Sequence, residues 1–303
     1  KEQIGKFIIG QNDQIEYLIA ALLVKGHILL EGVPGIAKTY LAKIFAQIID
    51  SGFSRIQFTP DLMPSDIIGT NIFDMKSSEF SFKKGPVFSN IVLIDEINRA
   101  PAKTQAALFE VMQENQITVD GQTFKMEQPF MVLGTQNPIE QEGTYKLPEA
   151  QLDRFLFRIK MTYPSLEDEI LILQRFKNDF DQNIITEITP VMDGKKLVAY
   201  RKVIEDVVIK DELLAYVAKI VNETRHNRDL YLGASTRASL GILKTAKTLA
   251  AMRGRNFVIP EDIQQACYPV LNHRIILTPE REMEGLQPED VIKEMLSHLE
   301  VPR

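Results

Sequence analysis

Cysteine is nearly absent from the sequence: Cys267 is the one thiol among 303 residues. A single thiol excludes an internal disulfide, and with it a disulfide-stabilised scaffold. Its helical spacing to Ile263, Ala266 and Val270 predicts a small side chain in the core. Because this usage fits a reducing compartment, we expect a cytoplasmic protein.

The sequence also lacks the patterns of three kinds of site. Its four histidines are dispersed, and no Cys/His spacing typical of a metal cluster occurs. No apolar run approaches the ~20 residues of a membrane span, and no signal-like segment begins the chain. The net charge is −6, without a stripe of Lys and Arg among aromatic residues. We therefore expect neither a membrane span nor a nucleic-acid partner.

A glycine-bearing loop, EGVPGIAKT over residues 31–39, lies between an apolar run and a helical pattern. Strand, loop and helix in this order typically bind phosphate, because backbone N–H groups and the positive helix end form an anion site. Lys38 would add a charge for the outer phosphates, and Thr39 a hydroxyl for Mg²⁺. The alternative is an ordinary strand–turn–helix corner with a solvated Lys38.

The loop departs from the pattern G-x-x-x-x-G-K-[ST] at one position, where Ala37 replaces the second glycine. Since a residue with a Cβ strongly prefers negative φ, we predict a helical φ at Ala37. A left-handed Ala37 would count against the assignment of the loop to phosphate binding.

A second apolar run, Ile91–Ile94, ends in the acidic pair Asp95 and Glu96. An uninterrupted apolar run is typical of a strand buried on both faces of a parallel sheet. Asp95 could hold Mg²⁺ through water, since magnesium takes few carboxylates and keeps several waters. Glu96 could orient or deprotonate the water that attacks the γ-phosphate. An acidic pair after a strand is also common surface chemistry.

Three later polar residues are candidates for the same site. Asn137 follows a strand-like run, where an open α/β sheet binds its ligands, although an asparagine before proline is also a common turn. Arg237 lies in the first turn of a helix that Ser235 is predicted to cap. A cation there opposes the helix dipole by about 0.3–1 kcal/mol, which a bound phosphate would reverse. Arg154 and Arg237 could each instead form a surface ion pair.

Together these elements resemble, in order, those of the MoxR family of AAA+ ATPases. The matching segments are EGVPGIAKT (31–39), IVLIDEINRAPAKTQAALFEVMQE (91–114), LGTQNP (133–138), LPEAQLDRFLF (147–157) and GASTRA (233–238). The resemblance implies an α/β fold, an AAA+ P-loop core with a parallel sheet flanked by helices, followed by an all-α lid. An alanine before the loop lysine is usual in this family.

The resemblance also implies a role for each matched residue, with ATP and Mg²⁺ as cofactors. The nucleotide would be held by Gly32, Val33, Pro34, Gly35, Ile36, Ala37, Lys38, Thr39 and Tyr40 of Walker A, by Asp95 of Walker B and by Arg237. Thr39 and Asp95 would hold the metal. Hydrolysis would use Glu96 of Walker B, Asn137 as sensor 1, Arg154 as an arginine finger reaching a neighbour's nucleotide, and Arg237 as sensor 2. Ile8, Ile9 and Gly10 resemble the segment that packs on adenine, but a core-facing apolar run explains them equally well.

The length favours about two domains, which we place at 1–163 for the nucleotide-binding core and 164–303 for the lid. The core would carry an insert at about 59–88. The resemblance implies that this is a helix-2 insert, and the alternative is an ordinary surface excursion. A hairpin is predicted at about 116–126, because Asp-Gly between β-favouring runs is a strong turn signal. In relatives it points to the pore of the ring; a plain edge hairpin is the alternative. A connector at about 181–209 would join the lid.

The periodicity of the chain predicts its elements in more detail. Strands are expected at Ile28–Leu30, Arg55–Phe58, Ile91–Ile94, Phe130–Gly134 and Phe155–Lys160. Ser165 with Asp168 resembles a capping box at the start of a helix. Later helices are expected at about 194–205, 211–226, 236–252, 260–272 and 288–299.

The expected function is Mg²⁺-dependent ATP hydrolysis by an oligomeric ring, a hexamer by resemblance. Relatives act as chaperones that remodel or activate partner proteins, often proteins with a von Willebrand factor A domain and sometimes metal-dependent enzymes. Three alternatives stay open: the motor subunit of a metal chelatase, a nucleotide-dependent scaffold with little turnover, and a DNA-remodelling enzyme. Glu96 argues against the scaffold, and the acidic charge argues against DNA.

Overall fold

The computed structural model describes residues 2–5, 7–33, 35–76, 78–137, 145, 147–177 and 188–302. Pro34 of the phosphate-binding loop and residues 181–187 of the expected connector lie outside the described residues. The chain divides into two compact units. Unit 1 comprises residues 1–147 and 159–196, and unit 2 comprises 148–158 and 197–303. The functional division at residue 163 stays a prediction.

Strands and helices alternate over residues 28–160, as expected of an α/β core, and helices predominate after residue 165. The strands are β1 Ile28–Glu31, β2 Phe53–Gln57, β3 Gly69–Asp74, β4 Glu79–Lys84, β5 Ile91–Asp95, β6 Gln116–Val119, β7 Gln122–Lys125, β8 Met131–Gln136, β9 Phe157–Lys160, β10 Leu230–Leu232 and β11 Ile276–Leu277. The helices are α1 Glu2–Gly5, α2 Asn12–Leu23, α3 Lys38–Ile48, α4 Pro64–Ile68, α5 Ala102–Glu114, α6 Glu149–Leu152, α7 Leu166–Phe176, α8 Gly194–Glu205, α9 Asp211–His226, α10 Thr236–Met252, α11 Pro260–Leu271, α12 Pro279–Met283 and α13 Pro288–His298, with a 3-10 helix at Pro86–Phe88. The described part of the chain contains no helix long and apolar enough to cross a membrane.

A five-stranded sheet has the order β2–β5–β8–β1–β9. The pairs β1–β8, β2–β5 and β5–β8 are parallel, and every residue of β1 and β5 is buried. The five strands predicted for the sheet are therefore confirmed, with ends displaced by no more than two residues. Since parallel strands end at the same edge, the segments after β1, β5 and β8 are brought together.

The insert over residues 59–88 contains α4 and the antiparallel hairpin β3–β4. The hairpin predicted at about 116–126 is also present as β6–β7, and Asp120 and Gly121 have the positive φ values of 48° and 79° that its two-residue turn requires. The ring of Phe82 stacks on that of Phe124 at 4.4 Å, and the Asn71 amide donates to the Asp120 carboxylate. The two hairpins therefore pack as one surface of unit 1.

Unit 2 is mainly helical, with a short antiparallel pair, β10–β11, that the sequence did not predict. The five later helices begin and end within one residue of their predicted bounds. Cys267 is fully buried in α11, which confirms its assignment to the core, and burial raises the pKa of its thiol. Ser235 caps α10 by accepting from the backbone N–H of Arg237 at 3.2 Å, as predicted.

His27 is a buried polar residue that joins β8 to α5. Its Nδ1 accepts from the backbone N–H of Val132 at 3.0 Å, and its Nε2 lies 3.0 Å from the carbonyl oxygen of Met112. This pattern fixes the neutral tautomer with the proton on Nε2. Burial lowers the pKa of His27 to about 4, against the smaller raising effect of the Met112 carbonyl.

We expect this histidine to make the protein less stable at acidic pH. Its pKa is depressed in the folded state, so between pH 6.5 and about 4 the unfolded chain binds the additional proton. The contribution to the free energy of unfolding should fall by about 2 kcal/mol between pH 7 and pH 5. In His27→Gln, which cannot titrate, urea unfolding should lose this part of the pH dependence, whereas the exposed control His226→Gln should keep it. An equal pH dependence in both variants would contradict the assignment.

Candidate functional site

Predicted residues from three loops of unit 1 line a cavity of about 390 Å³. The cavity lies beyond the carboxyl ends of β1, β5 and β8, where an open parallel sheet binds its ligands. Its lining comprises Gly35, Ile36, Ala37, Lys38, Thr39, Tyr40, Arg55, Gln57, Asp95, Glu96, Thr135 and Asn137. The structure thus brings together the phosphate-binding loop, the acidic pair and Asn137.

The backbone of the loop corrects one prediction. Ala37 has φ 60° and ψ 25°, in the left-handed region, so the helical φ predicted for it was wrong. Gly35 is also left-handed, with φ 85°. Such residues turn successive N–H groups toward one concave point, which is the geometry of an anion-binding nest. Ala37 therefore keeps the conformation that a glycine would adopt freely, at a cost of about 1–2 kcal/mol. The criterion stated for the loop is corrected as well: a positive φ at Ala37 contributes to the nest and does not count against phosphate binding.

Close packing holds the two ends of the loop. A Cβ at Gly32 would lie 2.7 Å from the carbonyl oxygen of Met161 and 2.6 Å from Cδ1 of Ile36, so this position requires glycine. Lys38 Nζ donates to the carbonyl oxygen of Gly32, which places the ammonium group over the loop. Val33, the residue after Gly32, is half-buried. Helix α3 begins at Lys38 and buries a face that includes Leu41, Ile44, Phe45 and Ile48.

Asp95 is the last residue of β5, and its carboxylate is held by two neighbours. Its Oδ1 accepts from the hydroxyl of Thr135 at 3.2 Å, and its Oδ2 lies 2.5 Å from Nε of Arg55. The residue is only 8 % exposed. A carboxylate has about four acceptor positions, so these two bonds leave capacity for a water-mediated metal. Arg55 and Thr135 were missed by sequence reasoning; the one signal was a charged residue inside the strand-like run of β2.

Glu96 follows in a left-handed conformation, with φ 56°. Its backbone N–H donates to Oγ1 of Thr135 at 3.1 Å, so one hydroxyl fixes both members of the acidic pair. Its carboxylate forms an ion pair with Arg99, 2.6 Å between Oε2 and Nε. The positive φ turns the chain sharply after β5 and leaves Glu96 on the cavity wall.

The donors around the cavity fit a nucleoside triphosphate with Mg²⁺. The Thr39 hydroxyl and the Asp95 carboxylate are oxygen ligands of the type that Mg²⁺ prefers. Lys38 and the nest of backbone N–H groups suit phosphate oxygens. A Cβ at Gly35 would meet no atom within 4 Å, so the loop is open on that side.

The segment proposed for adenine is tied to α7. The carbonyl oxygen of Phe7 accepts from Nη1 of Arg175 at 2.9 Å. A Cβ at Gly10 would lie 2.5 Å from Oδ2 of Asp168. Ser165 caps α7 by accepting from the backbone N–H of Asp168 at 3.1 Å, which is one half of the predicted capping box, and its hydroxyl donates to the Asp168 carboxylate. Ile8 is buried, Ile9 half-buried and Gly10 exposed. Burial raises the pKa of Tyr40, against the lowering effect of Arg175. The contact of this segment with adenine stays a prediction.

The two predicted arginines belong to unit 2. Nη1 of Arg237 lies 3.2 Å from Oδ2 of Asp153, so the ion pair considered as an alternative for Arg237 is present. The other carboxylate oxygen of Asp153 lies 2.7 Å from Nε of Arg274. Arg154 is half-buried and directly follows Asp153. Sequence reasoning missed Asp153, although it lies in the matched segment LPEAQLDRFLF, and Arg274, which lies outside the matched segments.

Comparison with known proteins agrees with this geometry. A family model described as "ATPase family associated with various cellular activities (AAA)" matches residues 27–157, and a model of the AAA lid domain matches 222–295. Chaperone MoxR1 of Mycobacterium tuberculosis is 44% identical over 315 residues, which cover 99% of this chain and 81% of that protein. The chain belongs to the MoxR family of AAA ATPases.

Two further proteins are similar to this chain over nearly its whole length. YeaC of Bacillus subtilis is 43% identical over 301 residues, covering 99% of this chain and 93% of that protein. A crystal structure from Cytophaga hutchinsonii has a TM-score of 0.92 and 42% identity, covering 100% of this chain and 93% of that one. Membership in the family makes this chain an ATPase, which implies that it binds ATP.

Proposed function

We propose that this MoxR-type ATPase works as a Mg²⁺-dependent ring, a hexamer, that uses ATP hydrolysis to remodel or activate partner proteins in the cytoplasm. The observation that supports this most is the convergence of Lys38, the acidic pair and Asn137 on one cavity. The name of the relative Chaperone MoxR1 supports the chaperone role. Proteins with a von Willebrand factor A domain and metalloenzyme complexes are the proposed partners.

In this proposal the residues of unit 1 hold the phosphates and the attacking water. Lys38 and the loop N–H groups neutralise phosphate charge, which is most of what a protein contributes to phosphoryl transfer. Glu96 orients or deprotonates the water, and Asn137 bonds the water or the γ-phosphate. Mg²⁺, held by Thr39 and through water by Asp95, would neutralise charge that develops on the phosphate oxygens.

The residues of unit 2 complete the site in the same proposal. Arg154 is supplied to the nucleotide of a neighbouring subunit, and Arg237 contacts the nucleotide as sensor 2. An arginine supplied across a subunit interface makes hydrolysis depend on assembly. The joined hairpins β3–β4 and β6–β7 are the surface of unit 1 that we propose meets the partner protein. Their exposed apolar side chains include Phe73, Met75 and Phe80.

The experiment that tests nucleotide binding at this cavity is Lys38→Ala. A charge-assisted hydrogen bond is worth about 1.5–3 kcal/mol, so the affinity for ATP should fall roughly 10–100-fold. Steady-state phosphate release should fall with it. Lys43→Ala is a matched control, because Lys43 is exposed on the same helix. Unchanged ATP affinity and turnover in Lys38→Ala would place the nucleotide elsewhere.

A further inference from the structure

One carboxylate in unit 2 joins two arginines with very different surroundings. Oδ1 of Asp153 pairs with Arg274, whose side chain is 2% exposed, whereas Oδ2 pairs with Arg237, whose side chain is 48% exposed. Oδ2 also accepts from the hydroxyl of Ser235 at 3.1 Å. The same oxygen therefore contacts both the cap and the first turn of α10.

Arg274 is fixed by more than this ion pair. Its Nη1 donates to the carbonyl oxygens of Leu156 and Val270, and its Nη2 donates to those of Asp153 and Phe155. A buried guanidinium with every edge bonded cannot turn away from its counter-ion without leaving a charge unpaired in the interior. Arg274 therefore immobilises the carboxylate of Asp153 and keeps its Oδ2 directed at Arg237.

We propose that Asp153 is the positioning residue of Arg237, holding one edge of its guanidinium and leaving the other edge for phosphate oxygens of ATP. The proposal rests on the proposed role of Arg237 as sensor 2. An isolated exposed ion pair contributes little, largely because two flexible side chains must be ordered. Here Arg274 already orders the side chain of Asp153. Only the side chain of Arg237 therefore loses conformational entropy when the ion pair forms.

A double-mutant cycle tests the proposal through the kinetics of ATP hydrolysis. Asp153→Asn should raise the KM for ATP about tenfold, the effect of losing one charge-assisted hydrogen bond, and change kcat less than about threefold. Arg237→Ala should raise KM at least as much. If Asp153 acts through Arg237, then Asp153→Asn should change KM by less than about twofold when added to Arg237→Ala.

Asp229→Asn is the matched control for this cycle. Asp229 pairs with Arg281 at 2.7 Å in the same unit, and its side chain is 21% exposed, against 22% for Asp153. It should leave both kinetic constants unchanged. Effects of Asp153→Asn and Arg237→Ala that multiply, or a lower KM in Asp153→Asn, would overturn the proposal.

Arg237→Lys keeps the proposal testable if Asp153→Asn does not fold. A lysine keeps the charge but lacks the planar fork that can bond Asp153 and a phosphate together, so KM should again rise about tenfold. A wild-type KM in Arg237→Lys would show that charge suffices, and positioning by Asp153 would be rejected. If wild-type protein hydrolyses ATP and Arg237→Ala changes nothing, this inference fails while the proposed ATPase site stands.

Discussion

Glu96→Gln is expected to bind ATP as tightly as the wild type and to hydrolyse it roughly 10²–10⁴-fold more slowly, the usual contribution of a general base. The substitution keeps the size of the side chain and removes its ability to accept a proton. The backbone of Glu96 is held by Thr135 through its N–H, which glutamine retains. We therefore expect the affinity for ATP to be unchanged and the rate of hydrolysis to fall.

Glu96→Gln also removes the ion pair with Arg99, and we expect this loss to contribute little to the change in turnover. Both side chains are 35% exposed, and exposed pairs of this kind are worth about 0–1 kcal/mol. The control is Glu110→Gln, because Glu110 is an exposed glutamate on α5 in the same unit. Equilibrium ATP binding and steady-state phosphate release measure the two effects separately. Wild-type turnover in Glu96→Gln would mean that another group activates the water.

The same variant tests the chaperone proposal. With ATP bound and hydrolysis blocked, it should hold a partner protein that the wild type releases. The comparison is made between the two proteins at equal ATP concentration, with Glu110→Gln as a third sample. If Glu96→Gln traps ATP and retains no protein beyond its own copies, the chaperone role loses its main support, while the ATPase assignment is unaffected.

The strands and helices could be predicted closely because their signals are local. The apolar run of β5, the buried face of α3 and the Asp-Gly turn of β6–β7 each lie within one element. Caps behave in the same way, since Ser165 and Ser235 act on residues two or three positions away. The short strands β10 and β11, of three and two residues, are too brief for an alternating pattern to show.

The contacts that orient the site could not be predicted, because they join residues that are distant in the chain. Arg55 and Asp95 are 40 positions apart, and Asp153 and Arg274 are 121 apart. Periodicity carries no information about such pairs; they follow from the order of strands in the sheet and the packing of helices. The prediction of a helical φ at Ala37 was wrong for a different reason. Alanine favours negative φ, but the convergence of backbone N–H groups in the loop outweighs that preference.

Arg154→Ala is expected to bind ATP and to lose about 10³–10⁵-fold in turnover, the range that an arginine finger contributes. The exposed control Arg228→Ala in the same unit should hydrolyse at the wild-type rate. Turnover alone does not show which subunit supplies the arginine, because loss is expected whether Arg154 acts on its own nucleotide or on a neighbour's. Mixing with Lys38→Ala separates the two cases.

In a mixed ring, an Arg154→Ala subunit can bind ATP and a neighbouring Lys38→Ala subunit can supply an intact Arg154. In a head-to-tail ring with even random mixing, about a quarter of the interfaces have this arrangement, so about a quarter of wild-type turnover should return. Neither variant alone should recover activity at the same total concentration. If Arg154 acted within its own subunit, no interface would combine both functions and the mixture would stay inactive. Hydrolysis at the full rate by a monomer would reject the ring outright, since no neighbour would then be needed to complete the site.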